Sequence, residues 1–395
     1  MSISSKVRES LTRSSWIRKM FEEGDRLAQI HGRENVYDFT IGNPDLEPPA
    51  SFKSRLAELA NHPVPGMHKY MSNAGYPEAR AAVAAHLNRK TGLTLTAGHV
   101  VMTVGAGGGL NVAFKALLNP GDEVIVSSPY FVEYGFYTEN HQGKLVVVKT
   151  KPDFQLDVKA IAAVINERTK IILINSPNNP TGVIYSPATL NALAEVIREK
   201  EAQLGITIYL VSDEPYSGLA YGVAVPPVFN YFEHSLVVTS HSKDLAIPGE
   251  RIGYVALQPA NPEPELLFDA LVFANRVLGF VNAPALMQRL VAELQGEVVG
   301  VDIYRERRDL LYNHLISVGF EVTKPEGAFY LFPKCPVADD VAFIQAALKY
   351  NLLLVPGSGF AGPGYFRIAY CVSKETIINS LPAFTKLAAE FELQP

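Results

Sequence analysis

Short, continuous runs of β-branched and other apolar residues recur along the middle of the chain and predict buried strands. Seven such runs occur, at residues 100–104, 123–127, 145–148, 170–174, 207–211, 236–238 and 252–257. Most are apolar at every position rather than at alternate positions, as in parallel strands covered on both faces. Helical patterns separate most of them, for example at residues 157–166 and 187–201. Strands joined by helices predict an α/β fold with a large, doubly wound, mostly parallel seven-stranded sheet.

The connection between the last two runs differs from the others. It spans residues 239–251, which is too short to hold a full crossover helix. We therefore expect these two strands to run antiparallel. Beyond them the pattern changes to helices at about residues 284–316 and 338–350, with short apolar runs between and after them. Short elements in mixed order predict a smaller α+β domain beside the sheet.

These patterns divide the chain into two predicted domains. The large domain covers residues 46–285, and the small domain combines residues 286–395 with residues 1–45, which include an N-terminal helix or arm. The arm contains the apolar residues Trp16, Ile17, Met20 and Phe21. They either cover the functional site as a lid or, as we expect, pack on the surface.

Composition excludes several classes of protein. The chain has 395 residues, of which 48% are hydrophobic and 19% charged, as in an ordinary globular protein. A formal net charge of -5 gives no electrostatic basis for binding nucleic acid. The two cysteines, Cys335 and Cys371, cannot form a disulfide framework and lack metal-site spacing, so we expect both to be buried and no metal to be bound.

The sequence predicts neither a membrane span nor a targeting segment. No segment reaches 18 uninterrupted apolar residues, the length of a candidate spanning helix. The basic, serine-containing N-terminus resembles a transit peptide faintly, but Glu9 interrupts it and no apolar secretory core is present. We therefore expect a cytoplasmic protein without a membrane partner.

Candidate binding residues follow the predicted strands, at the edge where open α/β sheets bind ligands. The glycine-rich stretch 105–109, with Ala106 and Gly107, opens a helix and can present free N–H groups to an anion. Its spacing fits neither a Walker loop nor a dinucleotide fingerprint. Phe131 follows the second run, where its ring either stacks on a flat heterocycle or packs in the core.

Polar residues follow the later strands. Asn179 lies in a loop fixed by two prolines, and Asp213 ends an apolar strand just before Tyr216. A buried aspartate requires a cationic partner, unless it caps a helix. The short loop after residue 238 carries Ser240, Lys243 and Arg251. A lysine there becomes a nucleophile if its pKa is lowered or if it is tied up as a Schiff base, although most lysines are solvated surface charges.

Three further residues are ambiguous when taken alone. Arg367 lies inside an apolar run, so its burial requires an anionic partner, either structural or a substrate carboxylate. Gly42 either forms a plain turn or lets a ligand approach the backbone. Tyr70, before the alanine-rich helix 78–90, would usually be a packing aromatic.

Together these motifs resemble the class I/II, fold-type I pyridoxal-phosphate-dependent aminotransferase family, from about residue 35 to the C-terminus. The resemblance is to bacterial members like the aspartate and aromatic amino-acid aminotransferases. It rests on the order of Gly42, Tyr70, the glycine-rich loop, Asn179-Pro-Thr-Gly, Asp213-x-x-Tyr216, Ser240-x-x-Lys243, Arg251 and Arg367. It implies pyridoxal 5'-phosphate as the cofactor and a homodimer whose active sites are shared across the interface.

The resemblance also assigns catalytic roles. Lys243 would hold the cofactor as a Schiff base and then move a proton between the substrate Cα and the cofactor. Asp213 would keep the pyridine nitrogen protonated, while Tyr216 and Asn179 would hydrogen-bond the ring hydroxyl oxygen. Phe131 would stack on the ring.

Binding roles for the phosphate and the substrate follow in the same way. The amides of Ala106 and Gly107, with Ser240 and Arg251, would hold the phosphate, and Tyr70 would reach the phosphate of the neighbouring subunit. The substrate α-carboxylate would be bound by three residues, namely Arg367, Asn179 and the Gly42 backbone.

The implied reaction is ping-pong transfer of an amino group from an L-amino acid to a 2-oxo acid, with 2-oxoglutarate as the expected acceptor. The donor is open, with aspartate or another common amino acid expected. The stretch Gly107-Gly108-Gly109 weakens the case for aspartate, because it offers no side chain for a second carboxylate. Arg18, Lys19 or a residue of a partner chain would then have to serve.

Three alternatives compete with transamination. A β-eliminating lyase or a decarboxylase on the same fold would keep the cofactor residues, although Arg367 favours retention of the α-carboxylate. A ligand-sensing regulator built on this fold usually adds a DNA-binding module, and no basic helix-turn-helix pattern precedes the family-like region. A catalytically silent scaffold is disfavoured because Lys243, Asp213 and Arg367 are all present.

Overall fold

A large seven-stranded sheet forms the centre of the chain. The structure is a computed structural model that describes residues 3–13, 23–24 and 26–394. The strands of all sheets together are β1 Tyr37–Asp38, β2 Val100–Thr103, β3 Glu123–Ser128, β4 Lys144–Lys149, β5 Thr169–Asn175, β6 Tyr209–Asp213, β7 Ser235–Ser240, β8 Gly253–Leu257, β9 Tyr330–Leu331, β10 Leu352–Leu353, β11 Val355–Pro356 and β12 Phe366–Ala369. The large sheet has the order β2-β8-β7-β6-β5-β3-β4. All seven predicted strands therefore form.

Only β8 runs antiparallel to its neighbours in this sheet. It pairs with β2 on one side and β7 on the other, and the remaining neighbours pair in parallel. This confirms the direction expected from the short connection between the last two strands. Strands β2, β3, β7 and β8 are buried at every position, which explains the apolar residues in their middle positions, with polar residues confined to the strand ends. The edge strand β4 is largely exposed and begins and ends with lysine, which discourages edge-to-edge pairing.

Helices cover both faces of the sheet and build the remaining structure. They are α1 Ser5–Arg13, α2 at residues 26–31, α3 Ala50–Asn61, α4 Pro77–Thr91, α5 Gly105–Leu117, α6 Glu133–Asn140, α7 Val158–Val164, α8 Pro187–Leu204, α9 Pro264–Val277, α10 Ala285–Glu293, α11 Val301–Ser317, α12 Asp340–Leu348 and α13 Lys374–Glu390. Helix α8 shows how the local sequence sets these bounds. Ser186 caps its first turn by accepting from Thr189 N at 3.1 Å, and Gly205 ends it at φ 66°.

A separate core forms around two small sheets. Strands β1 and β10 pair in parallel, and β9, β11 and β12 form an antiparallel sheet. Phe39, next to β1, is fully buried in the same cluster as Leu311, Phe343 and Phe384. Residues near the N-terminus therefore pack with the C-terminal part of the chain. The exact division into residues 46–285, and 1–45 with 286–395, stays a prediction.

The helical segment expected at residues 284–316 is broken in the middle. It forms α10 and α11, with seven residues between them that include Gly296 at φ 93° and Gly300 at φ 76°. A Cβ at Gly300 would collide with the side chain of Leu46. These left-handed glycines end one helix and start the next, so the apolar periodicity alone overestimated the helix length.

Two other predictions concern burial and membranes. Cys335 and Cys371 are free and buried, as expected. In the described part of the chain, no helix combines the length and the apolar character that crossing a membrane requires. The arm residues Trp16, Ile17, Met20 and Phe21, as well as Arg18 and Lys19, lie outside the described residues.

Candidate active site

A cleft of about 350 Å³ lies at the carboxyl ends of the parallel strands. Every predicted site residue except Tyr70 lines it, although they come from loops spread over most of the chain. These residues are Gly42, Ala106, Gly107, Phe131, Asn179, Asp213, Tyr216, Ser240, Lys243, Arg251 and Arg367. The fold thus brings together the residues that the sequence pattern singled out.

Lys243 is a buried amine on the loop between β7 and β8. Its Nζ donates to the carbonyl oxygen of Gly42 at 2.6 Å and lies 5.6 Å from the ring centroid of Phe329. Burial lowers the pKa of Lys243 to about 8, and the positive charges of Arg367 and Arg251 act in the same direction. The lowered pKa therefore increases the unprotonated, nucleophilic fraction of this amine near neutral pH.

Asp213 is a buried carboxyl group at the end of β6. Its Oδ2 accepts from the hydroxyl of Tyr134 at 2.7 Å, and its backbone oxygen accepts from Asn175 Nδ2 at 2.8 Å. Its Oδ1 is buried without a hydrogen-bond partner among the described residues. Burial raises the pKa of Asp213 to about 7, against the opposing effect of the Tyr134 hydrogen bond. A cationic or N–H group in the cleft would complete this site.

The start of α5 and two side chains form a cradle for an anion. The first N–H groups of a helix have no intrahelical partner, and here they belong to the turn that contains Ala106 and Gly107. Ser240, at the end of β7, and Arg251 line the cleft beside this turn. The positive helix end, a hydroxyl and a guanidinium are the donors that a phosphate group prefers.

The position of Arg251 depends on an adjacent glycine. Its Nη1 donates to Pro248 O at 3.1 Å, and its Nη2 donates to Val104 O at 3.4 Å. A Cβ at Gly105 would lie 2.6 Å from Arg251 Nη2, and Gly105 has φ 72°. Only glycine therefore fits this position without displacing the guanidinium.

Arg367 is a buried guanidinium with no carboxylate partner in the described part of the chain. Its Nη1 donates to Asn179 Oδ1 at 3.1 Å and its Nη2 to Thr40 O at 2.5 Å. The guanidinium carbon lies 4.7 Å from the Tyr330 ring centroid and 4.6 Å from that of Phe360. The two rings and the neutral acceptors hold its orientation but leave its charge uncompensated, so the cleft can bind an anion there.

Two tyrosine hydroxyls meet at the wall of the cleft. The hydroxyl oxygens of Tyr216 and Tyr330 are 2.7 Å apart. Burial raises the pKa of both hydroxyls, that of Tyr330 to about 12 and that of Tyr216 well above its ordinary value, so both are protonated at neutral pH. Only one of the two protons lies between the oxygens, and the other can be donated to a ligand.

Tyr70 does not contribute to the cleft of its own chain. Its side chain is 90% exposed, on a surface patch with Phe280, Val281 and Asn282. A side chain this exposed neither packs in the protein core nor contributes to a binding site within its own chain. The structure of the single chain therefore leaves this predicted site residue unused.

Several residues of the site were not singled out from the sequence. Tyr134 contacts Asp213, Asn175 supports both Asp213 and Asn179, and Tyr330 packs on Arg367. Asn175 carried a usable signal, since it is a polar residue at the end of an apolar strand, like Asp213. Tyr134 and Tyr330 carried none, because aromatic residues in helices and strands usually pack in the core.

Comparison with known proteins agrees with this geometry. Residues 34–383 match the family described as "Aminotransferase class I and II". The aspartate/prephenate aminotransferase of Thermus thermophilus is 35% identical over 361 residues, which cover 88% of this chain and 90% of that protein. The crystal structure of an amino transferase from Eubacterium rectale has a TM-score of 0.96 and 39% identity, and covers 99% of both chains.

A second solved structure points to the same family. The aspartate aminotransferase from Thermus thermophilus with maleate has a TM-score of 0.87 and 30% identity, and covers 98% of this chain and 100% of that chain. Family, relatives and fold therefore agree with the residues gathered in the cleft. The chain belongs to the class I and II aminotransferase family, and it is a transaminase.

Proposed function

We propose that this transaminase holds pyridoxal 5'-phosphate through Lys243 and transfers the amino group of an L-amino acid to a 2-oxo acid, with 2-oxoglutarate as the acceptor. One observation carries the proposal. A buried lysine with a lowered pKa shares its cleft with a buried carboxylate oxygen that lacks a partner, next to an anion cradle. Each of these three features matches a different part of the cofactor.

The residues present fit the cofactor chemically. An aldehyde reacts with an unprotonated amine, which Lys243 Nζ supplies. A pyridine nitrogen that carries a proton would complete the hydrogen bonding of Asp213 Oδ1. A phosphate would be held by the amides of Ala106 and Gly107, by Ser240 and by Arg251. Phe131 lines the same cleft and offers an aromatic face for stacking.

The chemistry divides between the cofactor and the protein. When bound, the cofactor supplies the electron sink that makes loss of the substrate Cα proton feasible. Asp213, as a carboxylate, keeps a positive charge in the ring favourable. Lys243 Nζ would hold the cofactor, and as the amine nearest to the reacting atoms it would accept and return the proton at the substrate Cα. In the protein without ligand, burial already lowers the pKa of this amine to about 8, which makes it easier for Nζ to give up a proton.

The substrate would be oriented by Arg367 and its neighbours. A guanidinium can bind a carboxylate through two parallel hydrogen bonds, and the Arg367 fork has no carboxylate partner among the described residues. Asn179 and the Gly42 backbone lie beside it at the cleft wall. A carboxylate held in this way is retained, which favours transamination over decarboxylation. Tyr216 and the Asn179 amide can donate to the hydroxyl oxygen of the ring.

The amino donor we propose is a common L-amino acid, and aspartate is the first to test because the Thermus thermophilus relative is named for it. The cations that line the described cleft are Lys243, Arg251 and Arg367, and each already has a proposed role. Gly107 adds no side chain there. A second substrate carboxylate would therefore need a residue outside this set, such as Arg18 or Lys19, or one from a partner chain.

We also propose a homodimer in the cytoplasm. The support is the exposure of Tyr70, which the family resemblance assigns to the phosphate of the neighbouring subunit. A second copy that covers this patch would bury Tyr70 and complete the anion cradle. The proposal thus gives a use to the one predicted site residue that lies outside the cleft.

The reaction itself can be tested with isotope-labelled substrates. The protein, supplied with pyridoxal 5'-phosphate, is incubated with single ¹⁵N-labelled L-amino acids and 2-oxoglutarate. We expect ¹⁵N-glutamate and the 2-oxo acid of one donor class, measured by mass spectrometry. Release of ¹⁵N-ammonia with a 2-oxo acid would indicate a β-eliminating lyase, and release of carbon dioxide would indicate a decarboxylase. Either result would overturn the proposed reaction.

A further inference from the structure

The loop that carries Lys243 is fastened by the residues on either side of it. His241, two residues before Lys243, is buried, and its Nδ1 lies 3.0 Å from Oδ2 of Asp244, the residue after Lys243. The other ring nitrogen of His241, Nε2, lies 3.2 Å from Nε2 of Gln295. Asp244 Oδ1 is also used, since it accepts from the backbone N–H of Leu245 at 2.8 Å.

The hydrogen bonds define the protonation of this chain of groups. Gln295 Nε2 donates to the Val291 carbonyl at 2.8 Å, and a carbonyl only accepts, so the amide group is correctly oriented. Its second hydrogen points to His241 Nε2, which must therefore be the accepting nitrogen. The proton of His241 is then on Nδ1 and is donated to Asp244. With one proton on its ring, His241 donates to Asp244 and accepts from Gln295, so both of its ring nitrogens are hydrogen-bonded.

The fastening connects the Lys243 loop to the segment between α10 and α11. Gln295 is the second residue of that segment, and Val299 N donates to the backbone oxygen of Asp244 at 2.8 Å. Val298, in the same segment, packs against Gly218, which also lies next to Asp244. A Cβ added at Gly218 would lie 2.8 Å from Val298 Cγ2 and 3.6 Å from Asp244 Cβ. Helix α10 packs in the core beside the large sheet, whereas α11 belongs to the core of the small sheets. The segment therefore anchors the loop to both cores.

We propose that His241, Asp244 and Gln295 form a positioning clamp that fixes the backbone on both sides of Lys243, so that its Nζ alone moves during catalysis. The inference rests on the proposed role of Lys243. That role requires Nζ to occupy more than one position while its Cα stays in place. A displacement of a catalytic group by about 1 Å can slow a reaction about 100-fold. Loss of the contacts that hold the residues on either side of Lys243 should therefore lower the reaction rate.

The clamp can be tested with two variants that remove one link each. Gln295→Met keeps the side-chain length and removes both donors, whereas His241→Asn keeps a donor near the Nδ1 position and loses the link to Gln295. The matched control is His234→Asn, because His234 also lies beside an acid, Glu201 at 3.3 Å, but at the far end of β7. All proteins are prepared with the cofactor bound.

Two readouts separate positioning from a general loss of stability. The first is the rate constant of a single half-reaction with saturating amino acid, and the second is the pH at which the absorbance of the lysine-bound cofactor changes. We expect both clamp variants to lose about 10-fold in rate, less than the loss for a full displacement of about 1 Å, with little change in KM and a measurable shift in this pH. His234→Asn should match the parent protein in both.

A double variant tests whether the residues act together. If they form one unit, His241→Asn combined with Gln295→Met should be no slower than the slower single variant, whereas independent effects would multiply. Multiplied effects would overturn the clamp. Parent-like rates and spectra in both single variants would also overturn it, because a purely structural pair would change only the melting temperature.

The same preparation separates failure of the clamp from failure of the proposed function. The parent protein is reduced with borohydride and digested, and the peptide that carries the cofactor mass is sequenced. Attachment at Lys243 with parent-like clamp variants would overturn only the clamp. Absence of any mass on the Lys243 peptide would overturn the proposed role of Lys243 itself and, with it, the basis of the clamp.

Discussion

Two buried ionisable side chains, Lys243 and Asp213, share the cleft without an ion-pair partner among the described residues. Burial disfavours the charged form of each, which lowers the pKa of Lys243 to about 8 and raises that of Asp213 to about 7. In the cofactor-free protein both residues therefore oppose stability near neutral pH. Such groups are retained where a ligand or a reaction uses them.

Replacing Lys243 by alanine should abolish turnover without unfolding the protein. The amine is the proposed attachment point and proton carrier, so we expect a loss of at least about 10³-fold in kcat. Lys243→Arg should be equally inactive, because a guanidinium keeps the charge but does not give up its proton. The control is Lys334→Ala, an exposed lysine paired with Glu321. A Lys243→Ala protein with an undiminished rate would contradict the mechanism.

Replacing Asp213 by asparagine should affect cofactor binding and apo-protein stability in opposite directions. The variant loses the charge that would pair with the pyridine nitrogen, so we expect the cofactor to bind about 10- to 100-fold more weakly. The same change removes a buried ionisable group and should stabilise the cofactor-free protein at pH 8 by up to about 4 kcal/mol, because folding raises the pKa of Asp213 from 3.8 to about 7. Equilibrium dialysis and urea unfolding measure the two effects.

The sign of the pH dependence follows from the raised pKa of Asp213. A carboxyl group whose pKa rises from 3.8 to about 7 on folding contributes stability that is present below pH 4 and is lost as the pH rises through about 7. The stability difference between Asp213→Asn and the parent should therefore grow from pH 4 to pH 8. A difference that is constant across this range would mean that Asp213 is already ionised in the folded protein at low pH.

At the scale of elements, the strands were predictable and the interruption of the helical segment was not. Largely apolar runs located all seven strands because parallel strands covered on both faces tolerate few polar residues. The segment 284–316 has helical periodicity on both sides of its break, and since isolated glycines also occur inside helices, Gly296 and Gly300 alone did not locate the break. The break depends on Gly300, whose φ of 76° and contact with Leu46 are tertiary features.

The start of β8 should be intolerant of any side chain. A Cβ at Gly253 would collide with the carbonyl oxygen of Thr239 and lie 3.0 Å from the Cα of Ser240, which are backbone atoms of the paired strand β7. We expect Gly253→Ala to destabilise the protein by about 1–3 kcal/mol, because the two strands must separate. Chemical unfolding measures this change.

The matched control lies in the same loop. A Cβ at Gly249 would meet nothing within 4 Å. Gly249→Ala should therefore change the free energy of unfolding by less than about 0.5 kcal/mol. Equal effects of Gly249→Ala and Gly253→Ala would contradict the close approach of β7 and β8 at the Lys243 loop.

For the whole molecule, the sequence identified most of the cleft but not its supporting residues. Lys243, Asp213 and Arg367 are distinctive because charged side chains in or beside apolar runs require an explanation, whatever the fold. Tyr134 and Tyr330 could not be recognised, since their partners Asp213 and Arg367 are distant in sequence and only the fold brings them together. Their roles depend on contacts, and contacts are not visible in one sequence.

The exposed Tyr70 leads to a prediction about assembly. Light scattering should give a mass of about twice 43.2 kDa, the mass of one chain. Tyr70→Phe removes only a hydroxyl from an exposed side chain, so we expect unchanged stability but cofactor binding about 10- to 100-fold weaker, as for one lost hydrogen bond to a charged group. A monomer with full activity, or unchanged cofactor affinity in Tyr70→Phe, would contradict a shared site.

The most direct test of the central claim is the absorbance spectrum of the purified protein, supplied with pyridoxal 5'-phosphate and then with single amino acids. We expect a band of lysine-bound cofactor that is missing in Lys243→Ala, and its conversion to the spectrum of the pyridoxamine form by one class of amino acid. Addition of 2-oxoglutarate should then restore the first band. If no band of bound cofactor forms in the parent protein, the proposed use of the cleft is wrong.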